Sequence, residues 1–278
     1  MDVRNYDLAF SLGFSCGCTQ SLREAGLQFA SFPFDWVGSP GLMASVRMLE
    51  TDFSGWLEKE DLELYDVRRA PLFSQVYRNS RTGFGFPHDF PISGGKEESY
   101  AAVRERYDRR IRRLMKTIGA SRRVLAVYIE RMIDPRLTDV ELVEARQIMA
   151  SRFPGACIEL LYFHQEDECK SPREDIVADG VRAIALDYKI VARGIVMHEV
   201  NREPITDCLK RLVSVVDSRS TADIRLHQDI RRQMRERRWG KMSLLRRLMN
   251  EIAYKWYRRL ERRLSDRGVI PREGPLWF

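Results

Sequence analysis

The spacing of apolar positions predicts a chain that is irregular before about residue 120 and regular after it. YDLAFSLG (6–13) is a short apolar run ending in glycine and reads as a buried strand. Ser15 to Ala25 reads as a helix that Ser15 can cap, with Leu22 and Ala25 as apolar positions. SFPFDWVGSPG (31–41) is a loop rich in aromatic and turn residues. A helix over Leu42 to Leu49 and the aromatic pair Phe53 and Trp56 follow it. Residues 65–95 are broken by Gly and Pro, and Val76/Arg78 with Phe84/Phe86 suggest short strands framing a turn at Asn79–Gly83. Val103, Tyr107, Ile111, Leu114 and Ile118 trace a long amphipathic helix between Lys96 and Ile118.

Beyond that point strands and helices alternate. RRVLAVYI (122–129), CIELLYF (157–163) and VRAIALDY (181–188) are apolar runs of strand length. TDVELVEARQIMASRF (138–153) is helical, with Val140, Val143, Ala145 and Ile148 available to its buried side. PITDCLKRLVSVV (204–216) closes the pattern as a helix with Pro204 in its first turn. Strands apolar on both faces and separated by helices imply a parallel sheet covered on both sides. The expected fold is therefore α/β: three layers around a mostly parallel sheet, formed by residues 1–220.

Composition and charge sharpen this. At 278 residues and 44% apolar, the chain has enough core-forming residues to exclude wholesale disorder. No apolar run approaches the roughly 20 residues that span a bilayer. The start, MDVRNYDLAF, lacks the layout of a secretory signal, so a cytoplasmic protein is expected. Five cysteines, an odd number, suit reduced thiols better than a disulfide framework. The net charge of +7 is unevenly placed, with fifteen Lys and Arg against five Asp and Glu between Arg225 and Arg267. A mildly acidic domain is thus followed by a basic helical extension, residues 221–278. Within it, Leu245, Leu248, Met249, Ile252, Trp256, Leu260 and Leu264 form one helical stripe with arginines on its flanks. Residues 240–265 are expected to dock on the domain or a protein partner, or to lie on an anionic membrane surface. Nucleic acid is disfavoured because no reading module accompanies the charge.

Open parallel sheets carry functional groups just past the carboxyl ends of strands. There S-L-G-F-S-C (11–16) places Cys16 on the first turn of a helix, where unpaired N–H groups favour a thiolate and predict a lowered pKa. Cys18 lies roughly 200° further around the helix, so only one sulfur can face a common cleft. Of four histidines, His88 in the punctuated segment FGFPHDF and His164 at the end of strand 157–163 are the candidate bases. His198 reads as a core or edge residue and His227 as part of the extension. For an acid to hold the imidazole, Asp35, Glu130 and Asp187 are candidates. Asp89 neighbours His88 but should point the opposite way along an extended chain. No paired-cysteine knuckle, H-E-x-x-H, phosphate loop or G-x-G-x-x-G is present, and no metal or cofactor is expected.

The same residues carry a family resemblance. D-L-A-F-S-L-G-F-S-C (7–16), F-P-F-D-W (32–36) and H-D-F (88–90), ahead of a Tyr- and Arg-rich helix, resemble a bacterial family of uncharacterised papain-like cysteine peptidases over roughly residues 5–215. The resemblance implies Cys16 as nucleophile and His88 as its histidine, with Asp35 and Asp89 as candidates for a third residue. It also implies a papain-like α+β fold as the alternative to the three-layer arrangement. The function expected is a thiol hydrolase or acyltransferase acting on a peptide, amide or thioester bond. Its competitors are a non-catalytic, membrane-apposed scaffold and a sugar- or nucleotide-modifying enzyme using Asp35 and Asp187.

Overall fold

In the computed structural model, which describes residues 3–28, 30–68, 74–132, 134–192 and 195–215 (backbone alone for 191, 192 and 195–199), Asp7 divides the first apolar run into two strands. These are β1 (Arg4–Tyr6) and β2 (Leu8–Gly13). The Asp7 carboxylate accepts the backbone N–H groups of Arg122 and Arg123 at 2.7 and 2.9 Å, pinning the run beside the strand that starts there. The expected basic extension 221–278, the helix expected over 240–265, the boundary expected near residue 220, His227 and the His198 side chain lie outside the described residues.

Helix α1 (Cys16–Glu24) starts where predicted, because the Ser15 hydroxyl accepts the Gly17 N–H at 3.2 Å and caps it. Helix α2 (Leu42–Glu50) follows. Strands β3 (Leu62–Arg68), β4 (Ser74–Asn79) and β5 (Gly85–Pro91) form an antiparallel sheet in that order. His88 therefore sits on a strand, not in the loop that its Gly and Pro neighbours suggested. Pro87 and Pro91 are compatible with this because β5 is the outer strand of its sheet.

Helix α3 (Gly95–Ala120) buries Val103, Tyr107, Leu114 and Ile118, the predicted stripe apart from the half-buried Ile111. Next come β6 (Arg123–Ile129) and α4 (Asp139–Arg152), whose start is a Thr138–Glu141 capping box. The buried side of α4 is Leu142, Ala145 and Met149; of the expected positions Ala145 is buried, Val143 and Ile148 are half-buried against the core, and Val140 is 75% exposed. Helical spacing alone admits both Leu142 and Val140 as a first-turn contact, and the sheet beneath the helix selects Leu142.

The remaining strands are β7 (Cys157–Gln165), β8 (Arg173–Ala178), β9 (Val181–Leu186), β10 (Lys189–Ala192) and β11 (Ile195–Val200). Helix α5 (Arg202–Leu212), capped by Asn201, ends four residues earlier than predicted. Its expected last turn is instead β12 (Val213–Val215), which pairs in parallel with β1. The β-branched Val213 and Val215 suit an extended chain once a partner strand is present.

The central sheet has the order β2-β6-β7-β9-β8. Its first four strands are parallel, with Leu8 opposite Val124, Val124 opposite Ile158 and Leu160 opposite Val181. Strand β8 is antiparallel to β9 at the edge, and its polar sequence REDIVA hid it from the apolar pattern. Every residue of β2 and β9 is buried, so both faces of the sheet are covered, with α1 packed on α5 and α2 on α4. This is the expected α/β arrangement with a mostly parallel sheet. Among the described residues, no helix is long and apolar enough to cross a membrane.

Aromatic rings join the 31–41 loop and the turn after α2 to β5 and α3. Trp56 meets Phe34 at 5.6 Å, Phe84 at 4.6 Å and Phe86 at 5.7 Å between centroids, and Phe86 meets Tyr107 of α3 at 5.5 Å. Such pairs contribute roughly 0.5–1.5 kcal/mol each beyond burial. The cluster fixes the 31–41 loop against β5, which sets the distance between the β2–α1 turn and His88.

Gly13 closes β2 at φ +107°, and a Cβ built there would lie 3.0 Å from the Ser39 side chain. Gly13→Ala combines a disfavoured backbone with a close contact and is expected to cost about 1–3 kcal/mol, measured by urea denaturation.

Candidate active site

Three pieces of chain meet at one pocket just past the carboxyl end of β2. The β2–α1 turn brings Phe14, Ser15 and Cys16; the loop after Asp35 brings Trp36, Val37 and Gly38; the antiparallel sheet brings Tyr65, Arg68, Tyr77 and His88. The pocket encloses about 690 Å³, part of it open to solvent. Its walls are mostly apolar, and against them stand a thiol, an imidazole and the guanidinium groups of Arg68 and Arg78. Cys16 is half-buried and His88 is exposed at the rim.

The electrostatics differ from the sequence expectation. Burial pushes the Cys16 thiol above its ordinary value, although its own backbone N–H and the charges of Arg202 and Arg68 pull the other way. A helix terminus contributes about 0.3–1 kcal/mol to a nearby charge, whereas desolvation can shift a buried group by several pKa units. Desolvation wins here, and the predicted lowering does not occur. His88 is held below the usual imidazole range by burial and then by Arg68, with Asp89 opposing them. Near neutral pH the pocket therefore holds a thiol and a neutral imidazole, not a preformed ion pair. Arg68 is the cation whose charge acts on both groups.

The other sequence candidates lie elsewhere. Cys18 points into the sheet, where its thiol donates to the Val127 carbonyl at 3.4 Å, and burial pushes its pKa up to about 12. Only one of the two sulfurs lines the pocket, as the helix geometry required. His164 is 1% exposed on β7, its ring stacked on Tyr162 at 5.6 Å, and it does not line this pocket. Glu130 accepts from the Tyr162 hydroxyl, and burial raises it to about 7. Asp187 accepts from Gln165 Nε2 at 2.7 Å and from the backbone N–H of Glu168 at 3.1 Å.

Asp35 is wholly buried and serves as a hub. Its carboxylate accepts from Thr19 Oγ1 at 2.9 Å, Gln28 Nε2 at 2.6 Å and the Phe32 N–H at 2.9 Å, with the Arg23 guanidinium 3.5 Å away. Arg23 lies 5.0 Å over the Trp36 ring. Asp35 thus ties the loop to α1 and, through Arg23, to Trp36 of the pocket wall, rather than touching His88. Asp89 faces away from His88 and accepts from Arg106 at 2.6 Å and Tyr107 at 2.8 Å, anchoring β5 to α3. Among the described residues, no carboxylate hydrogen-bonds the His88 ring. No group of three or more His, Cys, Asp or Glu among them is placed to hold a metal ion.

Sequence reasoning missed Arg68, Tyr65 and Trp36 as pocket residues. An arginine ending an exposed strand carries no signal of its own, and Trp36 was visible only as part of F-P-F-D-W.

Fold and pocket define the class: an α/β protein in which a cysteine from the β2–α1 turn and a histidine from β5 line one largely apolar pocket. The chain belongs to the family described as "Putative papain-like cysteine peptidase", whose profile matches residues 7–155. That stretch holds Cys16, Asp35, His88 and Asp89 and ends before β7. No curated protein and no solved structure matches the chain.

The raised thiol sets the sign of a pH effect. Alkylation of Cys16 by iodoacetamide, read peptide by peptide, should climb with pH and still be rising at about pH 9. A plateau between about pH 5 and 7 would instead reveal a preformed thiolate. Arg68→Ala should slow labelling at any given pH by removing charge that favours the thiolate. For the Asp35 hub, Asp35→Ala removes the buried acceptor shared by Thr19, Gln28 and the Phe32 N–H, and chemical denaturation should show a loss of about 3–5 kcal/mol.

Proposed function

We propose that this protein is a thiol-dependent hydrolase or acyltransferase in which Cys16 attacks a carbonyl and His88 handles the proton. One observation carries the reading: a cysteine on the first turn of α1 and a histidine on β5 line the same largely apolar pocket. A neutral imidazole is the protonation state a general base needs, and it stays so below the ordinary histidine range.

The steps follow from the two groups. The Cys16 sulfur bonds to the carbonyl carbon as its proton passes to the His88 ring. The resulting oxyanion lies near the Cys16 backbone N–H at the start of α1 and the positive charge of Arg68. Collapse expels the leaving group, which takes the proton from His88 and leaves a thioester on Cys16. Water or another nucleophile, deprotonated by His88, then attacks the thioester and regenerates the thiol. The Gly17 N–H is already committed to Ser15, so the Cys16 N–H is the donor assigned to the oxyanion.

The raised thiol, and a His88 ring that no carboxylate among the described residues hydrogen-bonds, favour a second reading, a non-catalytic pocket that binds an apolar ligand. An activated ester separates the two. With p-nitrophenyl hexanoate as probe, wild type should gain one acyl group on Cys16 by intact mass and release nitrophenol repeatedly. Cys16→Ala should do neither, and His88→Ala should be slower by about 10²–10⁴-fold. Release unchanged in both variants would leave only the binding pocket.

A further inference from the structure

The charge of the Cys16–His88 pocket has one sign. Among the described residues that line it are two arginines, Arg68 and Arg78, and no carboxylate. Glu63 stands opposite Arg78 in the β3–β4 register, and the charge of Asp66 acts on Arg68, yet neither acid lines the pocket. Beside the arginines the wall is mostly apolar, with Phe14, Trp36, Val76 and Pro87 among its residues. Burial there pushes the Arg68 guanidinium below its ordinary value, with Asp66 and Cys16 opposing. An anion entering such a pocket offsets the lost hydration of the guanidinium groups, whose planar fork matches a carboxylate.

The two arginines stand at different places along it. Arg68 ends β3, and its charge acts on both the thiol and the imidazole. Arg78 is exposed on β4, just before the turn to β5. Its Nη2 lies 3.9 Å from the point where a Cβ on Gly83 would stand, and Gly83 also lines the pocket. Gly85 is opposite Arg78, and His88 is three residues further along β5, so about 10 Å of strand separates the two positions. Val76 and Pro87 fall between them. The reacting pair is thus at one end of an apolar stretch and an exposed cation is at the other.

We propose that the pocket takes an acyl group whose far end carries a carboxylate: its carbonyl meets Cys16, its chain lies along the apolar wall, and its carboxylate pairs with Arg78. This rests on the catalytic reading above and deepens it by naming the substrate class, an anionic ester, thioester or amide of small-molecule size. The pocket's 690 Å³, part of it open to solvent, falls among small-ligand sites of about 300–1,000 Å³. Burial sets the direction of binding. A carboxylate keeps part of its hydration beside exposed Arg78, and would lose more of it beside the half-buried Cys16.

The test compares two esters of equal carbon number on the full chain, 4-nitrophenyl octanoate and mono-4-nitrophenyl suberate, which differ by a terminal carboxylate. Wild type should favour the suberate in kcat/KM by about tenfold or more, and the preference should shrink as NaCl is added. Arg78→Gln should lower the ratio of the two esters by about tenfold, and Arg78→Glu should invert it. Thermal midpoints within a few degrees of wild type verify that both variants fold; if they do not, the salt dependence of wild type decides. Calorimetry of monomethyl suberate with Cys16→Ala, with and without Arg78→Gln, reads the anchor in the absence of chemistry. Equal turnover of the two esters, a preference that NaCl leaves unchanged, or an unchanged ratio in folded Arg78→Gln overturns the proposal. Acylation of Cys16 equally by both esters removes the anchor and keeps the catalytic reading. Binding of monomethyl suberate that Arg78→Gln weakens, with acylation by neither ester, removes the catalytic reading and leaves a carboxylate-binding pocket.

Discussion

A single buried carboxylate holds the site together. Asp35, with no exposure to water, accepts three hydrogen bonds from two separate segments and lies beside the partly exposed Arg23. Because a buried carboxylate without partners is so unfavourable, Thr19, Gln28 and the Phe32 backbone cannot move independently of one another. Thr19 belongs to α1, so the helix that starts at Cys16 is locked to the loop that ends at Trp36. The aromatic cluster around Trp56 then locks that loop to β5, and Asp89 locks β5 to α3. Removing the first of these constraints would release the turn that presents the sulfur from the sheet that presents the imidazole.

The pocket that results has a largely apolar lining. Its apolar walls favour the uncharged form of both the thiol and the imidazole, and Arg68 acts in opposite senses on them, favouring the thiolate while disfavouring the imidazolium. In the mechanism proposed above, proton transfer from Cys16 to His88 gains from being coupled to attack on a substrate, when negative charge moves from sulfur to an oxygen near the same cation. The two acids nearest in sequence, Asp35 and Asp89, are spent on architecture. Two neighbouring segments divide their residues between pocket and packing. In F-P-F-D-W, Phe34 is core, Asp35 is the hub and Trp36 is wall. In H-D-F, His88 faces the pocket, Asp89 faces α3 and Phe90 packs on Tyr77.

The parts of the fold that depend on local pattern were legible. Strands buried on both faces wrote continuous apolar runs at β2, β6, β7 and β9, and Ser15 and Thr138 marked helix starts by the oxygen each offers to an unpaired N–H. Elements whose partners supply their stability were not legible. Strand β8 is polar because only β9 needs it, and β12 looked helical because its pairing with β1 spans more than 200 residues. The buried side of α4 went to Leu142 and Met149 for the same reason: a helix admits more than one apolar stripe until a sheet lies beneath it.

What the amino-acid order determined by itself was the α/β class, the capped turn that carries Cys16 and the exclusion of Cys18 from its side of the helix, since each follows from period, capping chemistry and helical geometry within a few residues. Tertiary structure alone decided that His88, not His164, shares a pocket with that sulfur, that Asp35 serves the scaffold, and that Arg68 stands among them. Solvation is the reason. Whether a thiol is ionised, an imidazole protonated or a carboxylate free depends on how much water the neighbours exclude, and those neighbours are brought from segments that hold no local record of one another.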